Sequence, residues 1–382
     1  MHLAGLYRSA PPVDPIPQET PLTLTDLFPP LAGKRYHALD GLRGLAVLMI
    51  FNTHFLAQYA DRDYFLQPGS LPYHLTKTLH SGLVGVDIFF MLSGLLTYLS
   101  IFHKHPSAPA FVLGRYRRLL PVIVAVAIPA LCFGVATVST RQIVDNIFFL
   151  KLFPETTFVN PVTWALTYEM YFYLLALVWF VLLGRLRLFR GARAFAGLWG
   201  LLLANVIFLR RFGVYSDVRF LGFFYGIGLG MLLANETGRR LISQIPWQAW
   251  PVCLAGVATC SFAWGYGPTQ HIIFTGWWWN FAFYTVLDLA ITGLILCLTA
   301  MEATGKCSVW GTRPMRLLGI VSYSLFMSHA PWGLPLGRAL SVSDASGPGS
   351  LAWVYAVSLL ASLALATFLF VFLERPYFAR RT

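Results

Sequence analysis

The chain has 382 residues, of which 57% are hydrophobic and only 12% charged, and its mean hydropathy is +0.63. Soluble domains carry roughly a quarter charged residues, so this composition excludes a soluble enzyme and indicates a polytopic membrane protein. The formal net charge of +12 comes from basic residues that flank apolar segments. We therefore assign it to membrane topology and anionic headgroups, and we expect no nucleic-acid partner.

Two regions are distinguished by composition. Residues 1–34 are rich in proline and polar residues and contain no apolar segment, so we expect a flexible cytoplasmic lead-in. Residues 35–382 alternate between apolar and polar stretches and are predicted to form one transmembrane domain. The predicted fold class is all-α, a polytopic membrane protein with about ten transmembrane helices around a polar cavity. The predicted spans are residues 42–60, 83–102, 119–139, 162–183, 194–209, 218–234, 248–265, 280–301, 315–336 and 350–373.

The basic residues also predict the orientation of these spans. If the N-terminus is cytoplasmic, most of the 28 lysines and arginines fall on the inner side of the membrane. Such a bias is typical of cytoplasmic loops. The sequence therefore predicts a protein of the inner, cytoplasmic membrane with both termini in the cytoplasm.

The first predicted span carries two ionisable residues, Arg43 and His54, eleven positions apart. At 100° per residue they point about 20° apart, and they are separated by roughly 16–17 Å along the helix axis. An arginine at the inner edge and a histidine about half a bilayer deeper therefore share one face. Ionisable groups inside a membrane usually mark function. The alternative is an interfacial arginine and a histidine that is hydrogen-bonded to a neighbouring helix.

Three further polar residues lie within later spans. Asp87 is predicted about 6 Å and Glu169 about 10 Å below the outer edge, and His329 is predicted about as deep as His54. Each alone is compatible with a packing role. Together they indicate a polar cavity in the outer half of the bilayer, since isolated charges there are costly. The five cysteines lack CxxC spacing, so we expect neither a metal site nor disulfides.

The inner face has an arginine cluster before the third span, in the segment FVLGRYRRLLP. Arg115 and Arg118 are three residues apart, which places two guanidinium groups on one face of a helix. Such a pair suits phosphate oxygens. Positive charge that only sets the topology is the alternative explanation.

Five segments, in order along the chain, resemble the signatures of the membrane acyltransferase-3 family. They are RYHALDGLRGLAVLMIFNTHF, GLVGVDIFFMLSGLLTY, RYRRLLPV, TWALTYEMYFYL and LGIVSYSLFMSHAPW. The resemblance extends from about residue 35 to the end of the chain. It implies an integral membrane enzyme that uses acyl-CoA, here expected to be acetyl-CoA, as donor substrate. The implied product is an O-acylated carbohydrate, with no permanently bound cofactor.

The resemblance also implies roles for individual residues. In the family the histidine of the first helix is essential, and the cytosolic arginines are linked to acyl-CoA. The complete predicted set is His54 and Glu169 as catalytic residues, Arg43, Arg115 and Arg118 as donor-binding residues, and Asp87, Trp164, Thr167 and His329 as substrate-binding residues. This chain departs from the family pattern in the fourth span, where Ala165 replaces a serine and Met170 a second acidic residue. Glu169 is therefore the single carboxylate of this segment.

Several mechanisms and classes remain open at this point. A neutral His54 imidazole can act as general base on a sugar hydroxyl, with Glu169 orienting the ring or the acceptor. An acyl-histidine intermediate is the alternative. No GxSxG segment supplies a serine nucleophile.

Two other functional classes are compatible with the sequence. One is a proton-coupled transporter or flippase that uses His54, Asp87 and Glu169, and the other is a non-catalytic scaffold. For an enzyme, the acceptor is a surface polysaccharide, its lipid-linked precursor or a glycosylated small molecule.

Overall fold

The computed structural model describes residues 36–58, 69–104, 107–132, 139–148, 160, 162–185, 218–234, 236–265, 277–306, 309–342 and 347–379. Within these residues the regular elements are all helical, which confirms the predicted all-α class. All of them belong to one compact unit, Leu31–Thr382. The predicted lead-in 1–34 and the predicted span 194–209 lie outside the described residues.

The helices are numbered here in chain order. They are α1 (His37–Ala57), α2 (Leu71–His80), α3 (Gly85–Lys104), α4 (Ala108–Cys132), α5 (Thr140–Ile147), α6 (Thr163–Arg185), α7 (Phe220–Ala234), α8 (Glu236–Ser243), α9 (Trp250–Gly265), α10 (Trp277–Ala303), α11 (Arg313–Ile320), α12 (Ser322–Ser328), α13 (Leu334–Ser341), α14 (Pro348–Leu369) and α15 (Arg375–Ala379).

Three helical stretches in the described part of the chain are long and apolar enough to span a membrane on their own, rather than the ten predicted. They are Lys77–Ile101, Trp279–Ala303 and Gly349–Tyr377. The helix Phe220–Ala234 is equally apolar but has only 15 residues. Polar residues are one reason for the difference, because Arg43 and His54 interrupt the apolar surface of α1. The segment RYRR has the same effect on α4.

Helix α1 packs closely against α11 because both helices carry glycine at their contact. A Cβ at Gly319 would lie 1.8 Å from the carbonyl oxygen of Asp40, so only a residue without a side chain fits there.

Helix α10 also holds the N-terminus of α1. The Glu302 carboxylate accepts hydrogen bonds from the backbone N–H groups of His37, at 2.9 Å, and Ala38, at 3.1 Å. This capping satisfies helix donors that would otherwise lack partners. The rotation of α1, and hence the direction of its polar face, is therefore fixed at both contacts.

Helices α3 and α7 form a second close pair. A Cβ at Gly94 would lie 2.1 Å from the carbonyl oxygen of Phe223, and one at Gly226 would lie 2.0 Å from that of Met91. Small residues at four-residue spacing let helix backbones approach in this way. The pair brings the first turns of α3 and α7 together.

Two π-helical turns interrupt the last part of the chain, at His329–Gly333 and Phe370–Glu374. Such turns are rare and frequently occur at functional sites. Each contains a buried ionisable side chain, that of His329 in the first and that of Glu374 in the second. The hydroxyl of Ser324 on α12 donates a hydrogen bond to the Glu374 carboxylate. Both turns therefore place polar groups inside an otherwise apolar helix assembly.

Candidate active site

The His54 imidazole contacts the imidazole of His329. Nδ1 of His54 lies 3.0 Å from Nε2 of His329 and also 3.0 Å from the carbonyl oxygen of Ile50, one turn earlier in α1. Nδ1 of His329 lies 3.0 Å from the carbonyl oxygen of Leu325. The two ring centroids are 4.9 Å apart and the rings are inclined by 55°. Helix α1 and the π-helical turn after α12 therefore bring two histidines into one hydrogen-bonded pair.

These contacts determine which nitrogens carry hydrogen when both rings are neutral. A carbonyl oxygen only accepts, so Nδ1 of His329 donates to Leu325 and Nε2 of His329 is left as an acceptor. Nδ1 of His54 then donates to that acceptor and shares its hydrogen with the Ile50 carbonyl. The lone pair of the neutral His54 ring is consequently on Nε2. This is the arrangement that a general base requires, with one nitrogen held and the other basic.

Aromatic residues surround the histidine pair. The ring centroid of Phe51 lies 6.2 Å from that of His329. Tyr355 on α14 stands edge-on to Phe51 at 5.8 Å and to Phe55 at 5.1 Å. Because His329 is completely buried among these groups, its ring has little freedom to rotate. The apolar contacts therefore help to hold the histidine pair in one orientation.

A cavity of about 60 Å³ is lined by three more of the predicted residues. Arg43, Arg118 and Glu169 line it together with Ser93 and aromatic side chains. The sequence prediction placed Glu169 with His54 in the outer half of the bilayer. In the structure Glu169 lines a cavity together with Arg43, the arginine near the start of α1. Two guanidinium groups and one carboxyl group therefore face the same cavity.

The Glu169 carboxylate is held by two hydroxyl groups. Ser93 Oγ donates a hydrogen bond of 2.7 Å to Oε1, and the Tyr173 hydroxyl donates to the same oxygen. Neither donor was among the residues predicted from the sequence. Tyr173 lies one helical turn after Glu169 on α6, a spacing that brings two side chains onto one face. Ser93 comes from α3, so only the packing of α3 on α6 reveals its role.

The two arginines of α4 that were predicted to act as a pair have different environments. Arg118 lines the cavity, whereas the Arg115 guanidinium lies over the rings of Phe111, at 5.1 Å, and Tyr173, at 4.6 Å. Arginine stacks readily on aromatic faces in this way. Arg115 therefore packs behind the tyrosine that holds Glu169, and Arg118 is the arginine of α4 that faces the cavity.

The remaining predicted substrate-binding residues lie on other contacts. The Thr167 hydroxyl is buried and donates within its own helix, to the carbonyl oxygen of Thr163 at 3.5 Å. The Trp164 ring lies beneath the guanidinium of Arg219, 5.2 Å away. Asp87 is completely buried near the start of α3. Asp87 was grouped with His54 by predicted depth, whereas Trp164 was assigned from the family resemblance; both substrate-binding roles stay predictions.

The sequence matches known acyltransferases. A family model described as an acyltransferase domain matches residues 36–371. The curated protein acyltransferase MdmB of Streptomyces mycarofaciens is 28% identical over 166 residues, which cover 40% of this chain and 41% of that protein. The chain therefore matches less than half the length of this relative. No solved structure matches it significantly. Both the histidine pair and the arginine-lined cavity lie within the region that the family model covers.

Proposed function

This chain belongs to the acyltransferase-3 family, a family of membrane-associated acyltransferases, and from that premise we propose that it transfers an acyl group, in the first instance acetyl, from acyl-CoA to a hydroxyl group of a carbohydrate. The observation that carries this proposal is the histidine pair. His329 holds Nδ1 of His54 by a hydrogen bond. The other ring nitrogen, Nε2, is therefore the basic one. General bases of this kind accelerate acyl transfer typically ~10²–10⁴-fold.

The proposed reaction proceeds through attack of the acceptor hydroxyl on the thioester. Nε2 of His54 takes the hydroxyl proton as the oxygen bonds to the acyl carbon. The carbon–sulfur bond then breaks, and the CoA thiolate receives the proton from the imidazolium ring. Nδ1 of His54 keeps its hydrogen throughout, so His329 can stabilise the positive charge that the ring acquires. An acyl-histidine intermediate would need the same basic nitrogen as nucleophile.

The arginine-lined cavity is proposed to bind the phosphate-bearing part of the donor. Arg43 and Arg118 supply the positive charge, and Nε of Arg43 is buried without a hydrogen-bond partner in the described part of the chain. A buried donor without a partner is costly, and a bound phosphate would satisfy it. Arg43 and His54 are separated by roughly 16–17 Å along α1, a distance that a long, thin thioester arm can cover.

The acceptor is proposed to be a surface polysaccharide or its lipid-linked precursor, which approaches from the outer side of the inner membrane. The support is the predicted orientation, with basic residues inside and His54 about half a bilayer from Arg43. A glycosylated small molecule that approaches from the cytosol is the alternative acceptor.

Labelled acetyl-CoA tests the activity directly. Purified protein should release free CoA thiol and transfer label to a lipid-linked oligosaccharide or a polysaccharide acceptor, whereas the His54→Ala variant should do neither. If the intact protein releases no thiol and transfers no label with any acceptor tested, the enzyme proposal fails. A transporter or scaffold would then remain.

Oriented vesicles test the direction of transfer. Acetyl-CoA supplied only inside should support acylation of an acceptor that is present only outside. Single-cysteine variants test the topology independently of activity. An impermeant thiol reagent should label Arg117→Cys, at an exposed position of α4, from inside and Asp63→Cys from outside. If transfer occurs only when both substrates are on the cytosolic side, a cytosolic small-molecule acceptor becomes the better assignment.

A further inference from the structure

The carbonyl group of Met327, two residues before His329, cannot make the usual hydrogen bond of an α-helix. Its donor would be the backbone N–H four residues later, but that residue is Pro331, whose ring nitrogen carries no hydrogen. Pro331 lies within the π-helical turn His329–Gly333. Met327 is completely buried, and a buried carbonyl group normally has a donor. The Met327 carbonyl therefore requires a donor from another part of the chain.

That donor is the side-chain amide of Asn160. Its Nδ2 donates a hydrogen bond of 2.8 Å to the carbonyl oxygen of Met327, across 167 positions of the chain. Asn160 is only 3% exposed, and it lies shortly before α6, the helix that carries Glu169. It was not among the residues predicted from the sequence. The contact ties the start of α6 to the segment that carries His329.

The Asn160 side chain is itself fixed in one orientation. Its Oδ1 accepts a hydrogen bond of 3.2 Å from the backbone N–H of Val162. Its backbone carbonyl oxygen accepts from the hydroxyl of Thr163, at 2.7 Å, and from the N–H of the same residue, at 3.0 Å. Because the Val162 N–H only donates and the Met327 carbonyl only accepts, the two ends of the amide cannot be exchanged. The NH₂ group of Asn160 is therefore held toward Met327.

A second contact holds the same π-helical turn from another helix. Nε1 of Trp332 donates a hydrogen bond of 3.0 Å to the carbonyl oxygen of Val126 on α4. His329 lies between the residue that Asn160 holds and Trp332, and its Nδ1 is held by the Leu325 carbonyl. The direction of the His329 ring therefore depends on a turn that is anchored on α4 and on the segment before α6.

We propose that Asn160 is a positioning residue for acyl transfer: it satisfies the Met327 carbonyl and so holds the π-helical turn in the form that directs Nε2 of His329 to Nδ1 of His54. This role rests on the proposed function, because its effect passes through the histidine pair to the general base. Asn160 itself contacts neither the substrate nor His54 in this proposal. The competing explanation is that Asn160 only stabilises the start of α6 through Val162 and Thr163.

The variant Asn160→Asp separates the two explanations. It keeps the size of the side chain and an acceptor oxygen for the Val162 N–H, but it removes the NH₂ donor to Met327. At a pH of about 8, where the introduced carboxyl group is ionised, kcat for transfer of labelled acetyl groups should fall about three- to tenfold. The donor KM should stay within about twofold, because ground-state binding is not changed.

Two further variants complete the set. Asn160→Ser also keeps an acceptor for the Val162 N–H and is too short to reach Met327, so its kcat should fall in the same way. It replaces Asn160→Asp if that variant does not fold. Ser139→Ala is the matched control, since Ser139 caps the exposed helix α5 by a side-chain hydrogen bond to Gln142. Its kcat should equal that of the wild type.

Combination with His329→Phe distinguishes positioning from a general structural effect. In the His329→Phe background, Asn160→Asp should lower kcat little further, because the hydrogen bond through which it acts is already lost. An equal factor in both backgrounds would overturn the proposal, as would wild-type kcat in the folded Asn160→Asp and Asn160→Ser variants. If these variants keep wild-type kcat, the proposed function stands and only the role of Asn160 fails. A wild type without acetyl transfer overturns both.

The same comparison has a readout that does not depend on activity. Loss of the Met327 contact should lower the melting temperature of Asn160→Asp relative to the wild type, because a buried carbonyl group loses its donor. An unchanged melting temperature together with an unchanged kcat would show that the contact has no role.

Discussion

Nδ1 of His54 and Nε2 of His329 lie 3.0 Å apart, although 275 positions separate the two residues in the chain. This contact gives the histidine of the first helix a partner that holds one nitrogen and leaves the other basic. His329 in turn is held by the Leu325 carbonyl within its own helical segment. The pair therefore forms a short chain of hydrogen bonds that ends at the nitrogen proposed to take the acceptor proton.

Replacement of His54 by alanine should remove the general base. We expect kcat to fall at least ~10²-fold, the lower limit of what such a base usually contributes. Steady-state transfer of labelled acetyl groups measures this, and circular dichroism and size-exclusion chromatography check that the variant stays folded. A folded His54→Ala protein with near-normal turnover would show that another group takes the proton.

Two replacements of His329 separate a positioning role from a merely structural one. His329→Phe keeps a ring of similar size but cannot accept the Nδ1–H of His54, so kcat should fall at least about tenfold while the donor KM stays constant. That factor corresponds to one hydrogen bond of roughly 1.5 kcal/mol. His329→Gln retains an acceptor oxygen and should recover part of the loss. Equal activity of the two variants would contradict the proposed hydrogen bond.

The two arginines of α4 should respond differently to substitution. Arg118→Ala should raise the donor KM at least about tenfold, because a charge-assisted contact is worth roughly 1.5–3 kcal/mol. Arg118→Lys should recover only part, since an ammonium group cannot make two parallel contacts. Arg115→Ala should change the donor KM less, because Arg115 stacks on Tyr173 and Phe111. Arg117, which is exposed on the same helix, is the matched control. A larger KM effect at position 115 than at 118 would reverse this assignment.

Removal of the Tyr173 hydroxyl should weaken the hold on Glu169. Tyr173→Phe leaves Ser93 as the remaining hydroxyl donor that the structure shows for this carboxylate. A buried polar group that loses its hydrogen-bond partner lowers the free energy of unfolding by about 1–3 kcal/mol. The melting temperature should therefore fall by several degrees. Tyr171→Phe on the same helix serves as control and should change it less. Identical melting temperatures for the two variants would show that the contact contributes nothing to stability.

The close packing of α1 and α11 predicts a backbone-sensitive position at Gly319. The Cβ of Gly319→Ala would overlap the Asp40 carbonyl oxygen, so the two helices must separate. Overpacking of this kind costs about 1–3 kcal/mol, and the melting temperature should fall accordingly. Gly349→Ala is the control, because no atom lies within 4 Å of the Cβ position there. Because α1 carries His54, activity should fall together with stability at position 319 only.

Much of the candidate site was predictable because it lies on single helices with regular spacing. The eleven-residue separation of Arg43 and His54 predicts a shared face. The similar predicted depth of His54 and His329 is compatible with the contact that the structure shows. The hydroxyl donors to Glu169 were not predicted, because Ser93 and Tyr173 belong to apolar segments where hydroxyl groups are common.

The sequence by itself determined the helical class, the membrane setting and the family, because these depend on composition and on motifs that are continuous along the chain. Only the tertiary structure decided which polar groups meet. It brings Glu169 into the cavity lined by Arg43 and Arg118, and it gives Arg115 and Arg118 different environments. It also shows three helices in the described part that are apolar enough to span alone, whereas hydropathy along the chain suggested ten. The physical reason is that a polar side chain is tolerated inside a helix assembly when the rotation and pairing of helices give it a partner. That pairing is a property of the packed helices, and no single segment encodes it.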